Sequence, residues 1–174
     1  MIVNYTNSWF FTATILNWQP LLKNDGNKNM IIDALRFLIK ENRIVLLGFV
    51  LMPNHIHLVW NTKDGLEKNF TQGSLLRFTA NSIIRELKNS EPLALELFRV
   101  DAADRTIQIW ERNPLSTEIL TDMVMEQKLN YIHHNPCTGK WNLAQTPVEY
   151  RYSSAKFYTE GVDEFNILTS YLSV

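Results

Sequence analysis

The sequence contains a single cysteine, Cys137, and this scarcity excludes several kinds of site. One thiol cannot form a disulfide within the chain, and it cannot supply a cysteine-based zinc cluster. Any metal bound by this protein must therefore use histidine, carboxylate or amide ligands.

Long apolar segments and an excess of positive charge are also missing. The longest apolar run, residues 44–52, is too short to span a bilayer. Residues 1–5 lack the basic start of a signal peptide, so we expect a cytoplasmic protein with no membrane partner. The net charge of −1 and the pI of about 6.4 are not those of a tight nucleic-acid binder. A local basic patch would still allow a role on DNA.

The remaining composition is that of a globular protein. Hydrophobic residues make up 45% of the 174 residues and charged residues 20%, which argues against disorder. We therefore predict one domain over residues 1–174, with a less regular tail at about 141–174.

Hydrophobic periodicity predicts the main elements of this domain. Strands are expected at residues 9–16, 44–52, 55–60 and 106–110. Helices are expected after Asn29 up to Lys40, from Leu66 or Ser74 to Lys88, and from Ser116 to about Asn135. The segment 89–104 is compatible with either helix or strand.

The order of these elements predicts an α+β fold of the ferredoxin-like, split βαβ type. It would have an antiparallel sheet of about four to five strands, with helices on one face. The opposite face would then be free for a ligand.

Two histidines stand out in the third predicted strand. Side chains alternate along a strand, so His55 and His57 share one face while Ile56 and Leu58 share the other. Two neighbouring imidazoles can bind one divalent transition metal ion. The alternative is a pair of ordinary half-buried strand histidines, because a metal site would need a third ligand from elsewhere.

A second set of polar side chains lies on the last predicted helix. Tyr131 and Asn135 are one helical turn apart and so point the same way, flanked by Lys128 and His134. The alternative is that Tyr131 belongs to the core and that Asn135 only ends the helix before Pro136.

Four motifs in this order resemble the single-tyrosine HUH transposases, and in particular the REP-associated tyrosine transposases. They are residues 52–59 (MPNHIHLV), Trp110 with Asn113 and Pro114, residues 126–136 (EQKLNYIHHNP) and residues 147–155 (PVEYRYSSA). Together they span most of the chain. After Pro136, many relatives have a valine and a basic residue, whereas this chain continues with residues 137–140 (CTGK).

The resemblance implies a role for each residue of the candidate site. His55 and His57 would be the HUH histidines, Asn135 the third metal ligand, and Tyr131 the nucleophile that cuts single-stranded DNA and joins strands through a covalent phosphotyrosine. The metal would be Mg²⁺ or Mn²⁺, and imidazole ligands suit Mn²⁺ at least as well. Lys128 would favour the phenolate or hold the phosphate, with His134 as a rival base.

The partner implied by the resemblance is single-stranded or hairpin DNA. Relatives can be homodimers that exchange the tyrosine helix or single-chain enzymes, and both states stay open. Candidate DNA contacts are Arg36, Lys40, Arg77, Arg85, Lys88, Lys140 and Arg151, with Trp110 and Tyr152 as base-stacking platforms. The alternative function is a domesticated relative that binds hairpin DNA or RNA without cutting it.

Overall fold

The structure, a computed structural model, describes residues 7–63 and 67–173. Its strands are β1 (Ser8–Thr14), β2 (Ile44–Leu51), β3 (His55–Thr62), β4 (Arg99–Ala102), β5 (Arg105–Ile107) and β6 (Leu115–Glu118). Its α-helices are α1 (Asp25–Lys40), α2 (Lys68–Ser90), α3 (Asp122–His134) and α4 (Ala155–Glu160). Residues 1–5 and Leu66, on which two expectations rest, lie outside the described residues.

The main sheet confirms the predicted fold class. Its four strands are all antiparallel in the order β2-β3-β1-β6, as expected for a split βαβ arrangement. The central strands β1 and β3 are paired so that Thr12 lies opposite His57 and Thr14 opposite His55. The histidine strand therefore lies inside the sheet, with neighbours on both sides.

The predicted fourth strand is wrong. β5 overlaps the predicted strand only at residues 106–107 and forms a separate two-stranded ribbon with β4, whereas Trp110 makes an isolated bridge to Ile15. The fourth strand of the main sheet is β6, which had been assigned to the start of a helix. This short edge strand pairs through its backbone and is largely exposed, so it lacks the apolar alternation that marks a strand.

Two helices begin at other positions than predicted because a different side chain caps each of them. α1 begins at Asp25, where the Asn24 side chain accepts a hydrogen bond from the Gly26 backbone. α3 begins at Asp122, where Thr121 accepts one from Val124. Segment 89–104, whose pattern is compatible with either helix or strand, contains the 3-10 helix Pro92–Phe98 and then β4.

The two faces of the sheet carry different helices. Phe11, Leu58 and Trp60 are fully buried in a core shared with α1 and α2, as the strand alternation predicts. On the other face, Leu47 and Val59 pack in a second core with residues of α3. The face expected to be open is therefore partly covered by the helix that carries Tyr131.

A β-bulge in β2 lets α3 approach the sheet closely. The register shifts between Leu46 and Gly48, so that both Leu47 and Gly48 face α3. A Cβ atom at Gly48 would lie 2.5 Å from Leu129 Cδ2 and 3.3 Å from Ile132 Cδ1. Only glycine leaves room for these two side chains of the helix.

The C-terminal tail is hydrogen bonded to β2, the edge strand of the sheet, and to α3. Ser154 donates its backbone N–H to Phe49 O (2.9 Å), and its Oγ lies 2.9 Å from His133 Nε2 of α3. The Tyr158 hydroxyl donates to Leu47 O at the bulge (2.7 Å). The tail thus pairs with an edge strand and fastens α3 to it. Among the described residues, no helix is long and apolar enough to cross a membrane.

Replacing Gly48 tests how closely α3 must approach. Gly48→Ala should lower the free energy of unfolding by about 1–3 kcal/mol, because the added methyl group overlaps Leu129. Urea denaturation followed by circular dichroism measures the change. Gly73→Ala in α2 is the matched control: its Cβ would meet no atom of the described residues within 4 Å, and it should raise the stability by about 0.5–1 kcal/mol. Unchanged stability in Gly48→Ala would contradict the packing described here.

Candidate active site

The two histidines lie side by side on β3, on the face that α3 partly covers. Their ring centroids are 4.9 Å apart, and the rings are inclined at 74°. His57 is only 5% exposed, whereas His55 is half-buried at the edge of the site. The predicted juxtaposition of the two imidazoles is therefore present.

A neighbouring amide determines which nitrogen of His55 carries the proton. His55 Nδ1 lies 2.7 Å from Asn54 Oδ1, and Asn54 Nδ2 donates to Trp18 O at 3.3 Å. Because the amide oxygen can only accept, Nδ1 is the donor. Nε2 is then the nitrogen with the lone pair; it faces the Asn135 amide at 3.4 Å and is the atom that could bind a metal ion.

His57 is held through the same ring nitrogen, Nδ1, but by a hydroxyl, which can either donate or accept. Its Nδ1 lies 2.7 Å from Thr12 Oγ1, and its ring stacks on Phe10 at a centroid distance of 5.3 Å. Nε2 of His57 is buried and has no hydrogen-bond partner within residues 7–63 and 67–173. A buried polar atom without a partner is costly, and a bound metal ion would satisfy it.

The surroundings keep both imidazoles neutral. Burial lowers the pKa of His55 from 6.5 to about 4. Burial, followed by the charges of His55 and Lys128, lowers the pKa of His57 to about 3. Metal binding requires neutral imidazole, so this environment prepares the pair as ligands at neutral pH.

Tyr131 approaches the histidines from α3. Its ring centroid lies 5.4 Å from that of His57 and 6.2 Å from that of Phe10, and the side chain is 53% exposed. A core role for Tyr131 is therefore wrong. Within this one chain, α3 brings Tyr131 to the face of the sheet that carries the histidines.

Asn135 and Lys128 flank the tyrosine on the same helix. Asn135 Nδ2 lies 3.4 Å from His55 Nε2, so the side chain faces the histidine pair as well as following the helix end. Lys128 Nζ lies 4.7 Å from the centroid of the Phe10 ring. His134 faces solvent, and its Nδ1 is 2.9 Å from Asn130 O.

These residues fit a divalent metal ion. Nε2 of His55 and Nε2 of His57 are the nitrogens that could bind it, and a half-turn of the Asn135 amide would present its oxygen to His55 Nε2 in place of its nitrogen. The described residues contain no cluster of three histidine, cysteine or carboxylate side chains. The residue predicted as third ligand, Asn135, has its side chain facing the pair.

The predicted cationic DNA contacts are scattered. Arg77, Arg85 and Lys88 are exposed on α2, which packs on the opposite face of the sheet from His57. Arg36 and Lys40 lie on α1 in the same layer as α2.

Two further cations of that set are in the C-terminal part of the chain. Arg151 is paired with Glu164 (3.2 Å), whereas Lys140 lies over the Trp141 ring and follows Asn135 closely in sequence. Among the predicted DNA contacts, Lys140 is the one nearest in sequence to the site.

The two predicted stacking residues lie in the core. Trp110 is 6% exposed and donates Nε1–H to Thr79 Oγ1 (3.1 Å). Tyr152 is 3% exposed and stacks on Phe165. Neither ring presents a face to a nucleic-acid base, so this prediction is wrong.

Sequence patterns missed the residues that orient the histidines. Thr12 is brought to His57 by the pairing of β1 with β3, across 45 positions, and no local signal marks it. Asn54 lies inside the MPNHIHLV motif and could have been assigned a role from its place next to His55. Trp18 lies near His55, at 6.3 Å between ring centroids, after a loop with no regular pattern.

Comparison with solved structures agrees with the predicted resemblance at the level of the fold. A REP-associated tyrosine transposase bound to a REP hairpin matches with a TM-score of 0.67 and 16% identity, covering 98% of this chain and 90% of that one. A protein from Deinococcus radiodurans, provisionally named a transposase, matches with a TM-score of 0.50 and 12% identity over 73% of this chain and 88% of that one. No protein-family model and no curated protein matches the sequence. This chain therefore has the fold of the tyrosine transposases.

The buried histidines should make the stability of the metal-free protein depend on pH. In the unfolded chain their pKa is about 6.5, so between pH 6.5 and 4 the unfolded state binds more protons than the folded state. The free energy of unfolding is then greatest above pH 6.5 and decreases as the pH falls. In His57→Gln the slope between pH 6 and 4 should be smaller by about 1.4 kcal/mol per pH unit, the equivalent of one proton. Urea denaturation in the presence of a chelator measures it, and equal slopes would contradict the assignment.

Proposed function

We propose that this protein is a single-stranded DNA transposase that nicks and rejoins DNA through a covalent bond to Tyr131. The observation that carries the proposal is the half-exposed Tyr131 ring 5.4 Å from the ring of His57. A phenol next to a pair of potential metal ligands, in a position open to a large substrate, supports the role of nucleophile for Tyr131.

The reaction is a transesterification at phosphorus. The Tyr131 hydroxyl gives up its proton and attacks the scissile phosphate, and the bond from phosphorus to the oxygen of the departing strand breaks. The ester to tyrosine preserves the energy of the broken bond. The hydroxyl of an incoming strand then attacks the same phosphorus and releases Tyr131.

A divalent metal ion, Mg²⁺ or Mn²⁺, held by His55, His57 and Asn135 would polarise the phosphate as a Lewis acid. Two neutral imidazoles and an amide leave the positive charge of the ion uncompensated, which suits an anionic substrate. Asn54 and Thr12 hold the Nδ1 side of each ring, so each Nε2 is directed to the site.

Lys128 supports the same reaction. Its charge is close enough to His57 to lower the pKa of that imidazole, and it lies on the same helix as Tyr131. An ammonium group there would stabilise the tyrosine as phenolate or bind a phosphate oxygen. We therefore assign Lys128 to the catalytic group together with Tyr131.

The proposed substrate is hairpin-flanked single-stranded DNA. The relative with the same fold over 98% of this chain was solved with a REP hairpin bound. Of the predicted DNA contacts, Lys140 is the one nearest to the site in sequence, and its role on DNA stays a prediction like those of Arg77, Arg85, Lys88 and Arg151.

The covalent intermediate provides the direct test. Protein incubated with Mn²⁺ and a labelled hairpin-ended oligonucleotide should form a species that migrates more slowly in a denaturing gel. Tyr131→Phe should form none, because it lacks the hydroxyl that makes the ester. Tyr171→Phe is the matched control and should react like the wild type, since the hydroxyl of Tyr171 is hydrogen bonded to Glu126 away from the histidines.

Binding of the oligonucleotide without any adduct under Mg²⁺ or Mn²⁺ would instead indicate the non-cleaving hairpin binder. The same assay reports how the site is assembled. A mixture of Tyr131→Phe and His57→Ala should form no adduct, because one chain supplies all the groups. Adduct formation by the mixture would show a homodimer that exchanges the tyrosine helix.

Calorimetric titration with Mn²⁺ tests the metal site separately from cleavage. The wild type should bind one ion, His57→Ala should lose binding, and Asn135→Ala should weaken it at least tenfold. His134→Ala is the control, since this imidazole faces solvent. Equal heats from the wild type and His57→Ala would eliminate the proposed site.

A further inference from the structure

We propose that Trp18 is a base-stacking platform that holds one nucleotide of the single-stranded DNA next to His55. The inference rests on the proposed function and adds to it a contact that specifies how the substrate lies in the site. No motif in the sequence marks this residue.

The position and exposure of Trp18 distinguish it from the other tryptophans. The chain has five, of which Trp60 and Trp110 are buried and Trp9 and Trp141 half-buried. Trp18 is 61% exposed, and its ring centroid lies 6.3 Å from that of His55 at an interplanar angle of 67°. A large aromatic face is thus presented to solvent at the edge of the histidine pair.

The backbone of this segment is in a conformation that its residues disfavour. Asn17 has φ of 53° and Trp18 has φ of 57°, both in the left-handed region. Asparagine tolerates this region, but a bulky side chain such as that of Trp18 rarely adopts it. Such outliers persist where the surrounding structure enforces them, and they cluster at ligand-binding sites.

Three hydrogen bonds enforce the conformation. The Trp18 N–H donates to Ile15 O (2.9 Å), the Asn17 N–H donates to Glu111 Oε1 (2.7 Å), and Asn54 Nδ2 donates to Trp18 O (3.3 Å). Asn54 also accepts from His55 Nδ1. One amide thereby sets the position of the indole relative to the imidazole.

The arrangement along the strands gives a path for the DNA. Tyr131 contacts His57 and Phe10, whereas Trp18 contacts His55, which lies opposite Thr14 near the end of β1. Tyr131 is therefore next to one histidine of the pair, His57, and Trp18 is next to the other, His55. A strand whose phosphate is held at the pair can stack a neighbouring base on Trp18.

Stacking also fits the charge of the protein. A chain with a net charge of −1 gains little general attraction for DNA. Base–aromatic stacking supplies affinity that does not depend on phosphate contacts and tolerates any base.

The test compares Trp18→Gly, Trp18→Phe and Phe70→Ala with the wild type. The probe is a fluorescent hairpin oligonucleotide with a single-stranded flank, and anisotropy gives Kd over a series of salt concentrations. Phe70 is the matched control, because it is also 61% exposed but lies on α2, across the sheet.

We expect Trp18→Gly to raise Kd about tenfold, the loss of one stacked base, with the slope of log Kd against log salt unchanged. Its unfolding midpoint in urea should be equal to or higher than that of the wild type, because glycine accepts a positive φ. Trp18→Phe should retain most of the affinity, and Phe70→Ala should bind like the wild type.

A Kd within twofold of the wild type in Trp18→Gly would overturn the inference. So would a loss of affinity accompanied by a lower unfolding midpoint, which would assign Trp18 a structural role. If the wild type forms the Tyr131 adduct and Trp18→Gly binds equally well, this inference alone fails. If the wild type does not bind the oligonucleotide, the proposed function fails with it.

Discussion

The candidate site depends on the close packing of α3 against the bulge in β2. A single missing side chain, at Gly48, allows Leu129 and Ile132 to reach the sheet. Tyr131 and Lys128 lie on the same helix, so the depth at which α3 packs decides how near they come to His57. The tail then secures this depth, since Ser154 is hydrogen bonded to β2 and His133, and Tyr158 to the carbonyl of the bulge. The packing of α3 against β2 therefore sets the positions of Tyr131 and Lys128 relative to the histidines.

Electrostatics in the site follow from burial. Two imidazoles at 4.9 Å would repel each other as cations, and the apolar surroundings remove that charge by lowering both pKa values. What remains is a neutral pair whose Nδ1 atoms are engaged by Asn54 and Thr12. A site of this kind offers nitrogen ligands without negative charge. A cation bound by such ligands would keep its full charge for an anionic substrate such as a phosphodiester.

Sequence reasoning succeeded where the signal was local and strong. The alternation in β3 placed His55 and His57 on one face, and helical spacing placed Tyr131 and Asn135 together. It failed at β6, whose four residues pair only through the backbone, and at Trp110, which alternates like a sheet strand but donates to Thr79 in the core. The pattern also assigned base stacking to Trp110 and Tyr152, which are buried, and not to Trp18. The exposure and the positive φ of Trp18 cannot be read from the order of the residues.

The sequence by itself determined the residue types of the site, the faces on which they lie within each element, and the order of the split βαβ fold. These follow from periodicity, which acts over a few residues. Only the tertiary structure decided that α3 crosses the histidine face, that one chain contains both halves of the site, and that Thr12, Asn54 and Trp18 surround the imidazoles. Those relations join positions up to 80 residues apart, as for Asn135 and His55. They depend on which strands pair and how deeply a helix packs, and no local pattern encodes either.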